Sequence, residues 1–227
     1  MPSAALAALL IALGEVEHLA IPSISAMQSV QAPRTRATGR AQAVLLSAHF
    51  ERYFYAVNEE AVSFLNEKHV SSDRLPLEFR LLHSKSAIDI TALTGWERRN
   101  THLEAFMESD GWLWKNTLTG QLNHATLLAW MSAPKPKNLQ RYYKYWGIQD
   151  IFSSITRTPQ TRQLMILAIQ EMVDKRNSIA HGDFSAQATL ADIRRLTAKV
   201  KDFCTRADKC LCRVISKNMS AGVLPWA

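Results

Sequence analysis

The stretch "EMVDKRNSIAHGDF", residues 171–184, gathers groups that handle phosphate and protons: Asp174, Lys175, Arg176, Asn177, Ser178, His181 and Asp183. Its spacing predicts the end of a helix. At 3.6 residues per turn, Asp174, Asn177, Ser178 and His181 lie three or four apart and share one stripe. Arg176 precedes His181 by five residues, about 140° around the axis, so within one straight helix these two side chains face apart. They converge if the helix end distorts at Gly182, or if two copies of the helix cross at a dimer interface. A histidine in the last turn meets the negative end of the helix macrodipole, which favours imidazolium. A guanidinium can hold a phosphate through two parallel hydrogen bonds, and the Asn177 amide can position an oxygen. Together these are the groups needed to cut RNA without a metal. A base takes the ribose 2′-hydroxyl proton, that oxygen attacks the adjacent phosphorus, and a cation stabilises the developing charge. The competing reading is a solvated helix end, because its dipole alone favours Arg, Lys and His there. The bare R-x4-H spacing does not decide between them.

The elements that must position this stretch read as helices. Thr158 and Pro159 supply an N-cap and a first helical residue, Leu164, Leu167, Ala168, Met172 and Ile179 an apolar stripe, and Gly182 a stop. Residues 3–20 read as a helix between Pro2 and Pro22. Residues 31–40, "QAPRTRATGR", read as a basic linker. The long pattern 41–68 puts Val44, Leu45, Ala48, Tyr53, Val57, Ala61, Phe64 and Leu65 on one face. A turn at 71–76 precedes helices at 77–93 and 96–108. Residues 109–138 are irregular, helices at 138–146 and 148–155 flank Gly147, and a last helix spans 188–216. With eight Gly and eight Pro in 227 residues, and no strand alternation, hairpin dipeptide or Gly-rich phosphate loop, the fold class is all-α. The expected architecture is a bundle of long antiparallel helices with an irregular middle. The domain reading is an N-terminal helical extension at 1–30, a main domain at 35–217 and a tail at 218–227.

Hydrophobic content of 47% supports a core, and a net charge of +7 suits a polyanionic partner. Cys204, Cys210 and Cys212 are odd in number, lack zinc-ligand spacing and read as reduced thiols of a cytoplasmic protein. The apolar N-terminal run has no preceding Lys or Arg and is too short to span a bilayer, so neither a signal peptide nor a membrane helix is expected. The candidate RNA contacts are Lys135, Lys137, Arg141 and Lys144 around "RYYKYW", whose aromatics could stack on bases or form core, and the linker arginines Arg34, Arg36 and Arg40. No residue pattern implies a metal or another cofactor.

"RNSIAHG" resembles the R-x4-6-H signature of the HEPN superfamily, whose members are helical and often ribonucleases. "GRAQAVLLSAHFERYFYAVNEEAV" looks like the long helix of its RiboL-PSP and MAE-like groups. "SAPKPKNLQRYYKYWGIQDIF" is similar to their Pro/Asn-led segment, and "ATLADIRRLTAKVKDF" to the helix that follows the motif. The resemblance spans about residues 35–205, in the family's order. It implies a homodimer whose motif helices meet, so that two Arg/His sets line one cleft. It also implies metal-independent RNA cleavage in a toxin–antitoxin or phage-defence setting, with an antitoxin or defence-system protein as a possible partner. Arg176 and His181 match the motif positions and Asn177 the polar residue after the arginine. The resemblance also makes Glu51 a candidate supporting partner for Arg176, with a purely structural ion pair as the alternative. Asp183 departs from the tyrosine that some HEPN toxins carry there for modification; it could orient His181 or cap the next turn. The alternative is a non-catalytic HEPN domain that binds RNA or a partner protein.

Overall fold

Apolar residues recur at helical spacing almost throughout the chain, and the local geometry follows. A computed structural model describes residues 1–19, 28–115 and 118–226, the side chains of 28–32 excepted. Every regular element among them is helical: α1 (Ala4–His18), α2 (Gln28–Glu67), α3 (Leu77–Leu93), α4 (Trp96–Ser109), α5 (His124–Leu128), α6 (Pro136–Tyr145), α7 (Ile151–Ile155), α8 (Pro159–Ala180) and α9 (Leu190–Asn218), with short 3-10 turns at 72–74 and 111–114. Side chains written into the sequence start the long helices. Ser3 accepts from the Leu6 N–H, Thr158 from the Thr161 N–H, and Thr189 and Asp192 form a reciprocal capping box.

Four helices build the frame. Glu60 accepts from the Ala4 and Ala5 N–H groups at one end of α1, and Gln42 donates to the Val16 carbonyl at the other (2.8 Å), so α1 runs antiparallel to α2. Arg195 binds Glu171 (2.7 Å) and Lys175 meets Asp192 (3.7 Å), which closes α8 and α9 into an antiparallel hairpin. Arg40, early in α2, donates to the Asp183 carbonyl just past α8 (3.0 Å). The start of α2, the end of α8 and the start of α9 therefore share one end of the bundle.

Aromatic rings fill the interior. Phe54 meets Phe50 and Tyr142 edge-on, with centroids 5.0 and 5.9 Å apart, and Phe152 lies 5.4 Å from Phe203. Each such fully buried side chain contributes roughly 1.5–3 kcal/mol by leaving water. Leu6, Leu9, Leu13 and Val16 of α1 enter the same core. Asp208, also buried, accepts from the Ser3 N–H and hydroxyl and from the Tyr53 hydroxyl. Burial pushes its carboxyl up, and the Ser3 hydrogen bonds partly offset that. Cys204, Cys210 and Cys212 are free and buried, and burial pushes all three thiols up. No described helix is long and apolar enough to cross a membrane.

Several sequence expectations change. "QAPRTRATGR" is no linker: α2 runs through it with Pro33 inside the helix, so Arg34, Arg36 and Arg40 sit on a helix. Tertiary contact overrides local propensity there, since Gly39 is buried and Arg40 is bound to the segment after α8. On α2, Leu45 and Ala48 are exposed, and the buried stripe is Ala43, Leu46, Phe50, Tyr53, Phe54, Val57 and Ala61. On α8, Leu164 and Leu167 are 57% and 53% exposed, while Met165, Ala168, Ile169, Met172 and Val173 face inward. Both helices carry apolar residues on more than one side, and periodicity alone does not choose the buried one. Pro22, expected just past α1, lies outside the described residues.

Candidate functional site at the end of helix α8

Helix α8 stops through a Schellman motif. The Gly182 N–H donates to the Ile179 carbonyl (3.1 Å) and the Asp183 N–H to the Ser178 carbonyl (3.0 Å). Gly182 takes φ +82°, the left-handed conformation that glycine adopts without a Cβ penalty. His181 is the last residue before that turn and is exposed. Its imidazole makes no hydrogen bond among the described residues, so both ring nitrogens are open to a substrate or a second chain.

Arg176 continues the inward stripe of Met165, Ile169 and Met172 by helical geometry. It is half-buried. Its guanidinium donates to the Asn177 side-chain carbonyl (3.1 Å). The structure thus brings Arg176 and Asn177 together but leaves His181 about 140° away around the same helix. Glu51 lies half-buried on α2, and among the described residues no ion pair joins it to Arg176. Ser178 is half-buried, and its backbone carbonyl anchors the turn.

The two aspartates do structural work. Asp174 accepts from Gln170 (2.8 Å) and pairs with Lys135 (3.7 Å), which ties α8 to the start of α6. The Asp183 carboxylate accepts from the Ser185 N–H (2.8 Å) and hydroxyl (2.6 Å), so it caps the following turn. The Ser185 hydroxyl, then its backbone N–H, hold that carboxyl below the usual range.

The basic residues separate into groups. Arg40 binds the Asp183 carbonyl, and its guanidinium stands 5.6 Å from the Phe184 ring centroid. Arg36, one turn earlier, is exposed on the same side of α2, whereas Arg34 is two residues away and points about 160° from it. Lys137, Arg141 and Lys144 form an exposed stripe along α6 at i, i+4, i+7 spacing. Arg141 lies over Trp130 at 4.5 Å. Tyr142, Tyr143 and Trp146 of "RYYKYW" are fully buried, so these three rings belong to the core and cannot stack on bases; Tyr145 alone is partly open.

Sequence reading overlooked Phe184 and the grip of Arg40 on it. The signal present was a large apolar residue just after a glycine stop. It also overlooked His83, a buried ring whose Nδ1 meets Asp110 (3.2 Å) and whose Nε2 accepts from the Asn123 N–H (2.8 Å). Both nitrogens are occupied in fastening the irregular middle to α3, so this imidazole has no free ring nitrogen. Among the described residues no group of three His, Cys, Asp or Glu could hold a metal ion.

The chain is an all-α bundle with an R-x4-H turn closing one of its long helices, and the family comparison makes it a HEPN protein. It belongs to the RiboL-PSP-HEPN family, whose model matches residues 17–213. No curated protein and no solved structure matches it.

Proposed function

We propose that the chain is a metal-independent endoribonuclease of HEPN type, working as a homodimer in the cytoplasm within a toxin–antitoxin or phage-defence system. The observation that carries this reading is the exposed His181, its imidazole without a hydrogen bond among the described residues, at a helix end shared with Arg176, Asn177, Arg36 and Arg40. His181 would take the 2′-hydroxyl proton as that oxygen attacks phosphorus. The P–O5′ bond would break to leave a 2′,3′-cyclic phosphate, and the departing 5′-oxygen would take a proton from water. Arg176 would stabilise the charged phosphorus centre, and Asn177 would orient Arg176 or a phosphate oxygen. Arg36 and the α6 stripe of Lys137, Arg141 and Lys144 would hold flanking phosphates. Family membership supports the defence setting, and the three buried free cysteines support the cytoplasm.

The outer face of α8 supports the dimer. Leu167, Asp174 and His181 follow one another at seven-residue intervals, so the exposed Leu167 shares a face with His181, and the exposed Leu164 flanks that face. A two-fold axis across that face would bury the leucines and bring one protomer's His181 towards its partner's motif helix. The second reading, a HEPN domain that binds without cutting, draws on one observation: within one chain Arg176 and His181 face apart.

The deciding experiment is to induce the wild-type chain and His181→Ala in a bacterial host, comparing growth and total RNA. Wild type alone should arrest growth and fragment RNA. With purified protein, cleavage should survive EDTA and leave 2′,3′-cyclic phosphate ends. Equal cutting of DNA, or EDTA-sensitive activity, would reject the mechanism. Intact RNA in both cultures would favour the binding domain.

A further inference from the structure

Phe184 is 89% exposed and stands three residues beyond His181. The backbone beneath it is well fastened. The Ala186 N–H donates to the Asp183 carbonyl (3.3 Å), forming a turn with Phe184 as its first central residue. Ser185 bonds the Asp183 carboxylate twice, and Arg40 donates to the same Asp183 carbonyl. Ala188, just downstream, is buried. The Arg40 guanidinium stands 5.6 Å from the ring centroid, a cation–π separation. A large apolar ring is therefore held on an ordered turn, with most of its surface open to water. Three residues of chain span at most about 11 Å, so the Phe184 Cα lies within that distance of the His181 Cα.

An aromatic face beside a cation is what single-stranded nucleic acid is read by. Unpaired bases stack on Phe, Tyr or Trp, and guanidinium adds attraction for the base and its phosphate. A duplex offers no free base face at this position. We propose that Phe184, held by Arg40, is the stacking platform for an unpaired nucleobase next to the phosphate that Arg176 and His181 address. The substrate is then single-stranded or looped RNA. Arg40 acts chiefly as a positioning residue: among the described residues its guanidinium meets the Asp183 carbonyl and the Phe184 ring. This inference rests on the ribonuclease reading.

The test uses the full chain and a short single-stranded RNA carrying 2′-O-methyl groups throughout, with its unmodified counterpart for cleavage. Phe184→Ala should weaken binding of the methylated RNA by roughly tenfold. That loss should be equal at all salt concentrations, because stacking releases no counterions. Phe184→Trp should restore affinity and Phe184→Leu should not. Placing an abasic site at successive positions should reveal one position where the wild-type chain loses the same factor and Phe184→Ala loses nothing further. Trp96→Ala serves as the control, removing an exposed ring beside Arg99 (5.8 Å) on the α3–α4 hairpin, and should leave affinity unchanged. Unchanged affinity in Phe184→Ala, rescue by leucine, or an equal loss in Trp96→Ala would overturn the platform. So would conversion of a dimer to a monomer by Phe184→Ala, which would make the ring a subunit contact. If cleavage depends on His181 but not on Phe184, the platform alone falls. If the coupling to one base appears while the wild-type chain cuts no RNA, the platform stands and the ribonuclease reading falls.

Discussion

Helices α6 and α8 end with the same backbone device and put it to opposite uses. In α6 the Gly147 N–H bonds the Lys144 carbonyl (2.9 Å) and the Ile148 N–H bonds the Tyr143 carbonyl (2.9 Å). In α8 Gly182 and Asp183 repeat that pattern on Ile179 and Ser178. Both glycines have positive φ, +84° and +82°. The residue before the glycine is Trp146 in one and His181 in the other. Trp146 is wholly buried, 5.1 Å from Phe79, with Ile148 and Tyr143 also buried around the turn. His181, Asp183 and Phe184 are all exposed. One turn seals its helix into the core, and the other holds its side chains out to solvent. A Schellman ending is thus a neutral scaffold. What surrounds it decides whether its last residue contributes stability or chemistry.

The largest contrast should come from truncating the two matching residues. His181→Ala should lower RNA cleavage on the order of 10²–10⁴-fold, with the melting temperature nearly unchanged because the ring is exposed and makes no hydrogen bond among the described residues. Trp146→Ala should cost about 3–5 kcal/mol of stability through the cavity it leaves, read as a large drop in the denaturation midpoint. If His181→Ala cuts at the wild-type rate, the α8 turn is only a solvated helix end. If Trp146→Ala melts normally, the α6 turn is not the seal described.

Arg176→Lys comes next. It keeps the charge but loses the planar fork, so activity should fall at least about tenfold while binding persists. Arg176→Ala should weaken both, since the same cation meets phosphate before and during reaction. A fully active lysine variant would assign Arg176 to charge alone.

The glycines allow a finer comparison. A Cβ at Gly182 meets nothing within 4 Å, and one at Gly147 meets only Pro76 Cγ at 3.5 Å. Gly182→Ala and Gly147→Ala should therefore cost similar amounts, about 1–2 kcal/mol of left-handed strain each. Cleavage by the folded protein should suffer only in Gly182→Ala, where the turn orients His181. Equal activity losses would break the comparison.

The smallest effect concerns pH. Hydrogen bonds from Ser185 depress the Asp183 carboxyl. A depressed carboxyl lends its support to the turn above the unfolded value near 3.9, and that support is lost as pH falls through the folded value. The Ser185 and Ala186 amide signals should hold steady from pH 7 to about 5 and move only in stronger acid. Movement already between about pH 6 and 5 would show that Asp183 does not cap this turn.

Much of the architecture was legible because its determinants are local. Thr158, Pro159 and Gly182 bracket α8 within a residue of the expected ends, and α3 matches its expected span of 77–93. The motif residues were legible too, since Arg176, Asn177 and His181 lie within two turns of one helix. Where the helices face was much less legible. Leu164 and Leu167 read as core yet are exposed, and "RYYKYW" read equally well as an RNA surface and as core.

By itself, the sequence determined that this protein is helical, where its long helices other than α2 start and stop, and which residues lie at the end of α8. Caps, glycine stops and a 3.6-residue period act over a few residues and need no distant partner. Only the tertiary structure decided that α2 extends back through Pro33, that Arg40 grips the turn after α8, and that Arg176 lies along the core while His181 does not. Those outcomes depend on contacts between residues as far apart as 40 and 183. Where a helix carries apolar residues on several sides, the neighbours it packs against select the buried face, and no local pattern names those neighbours.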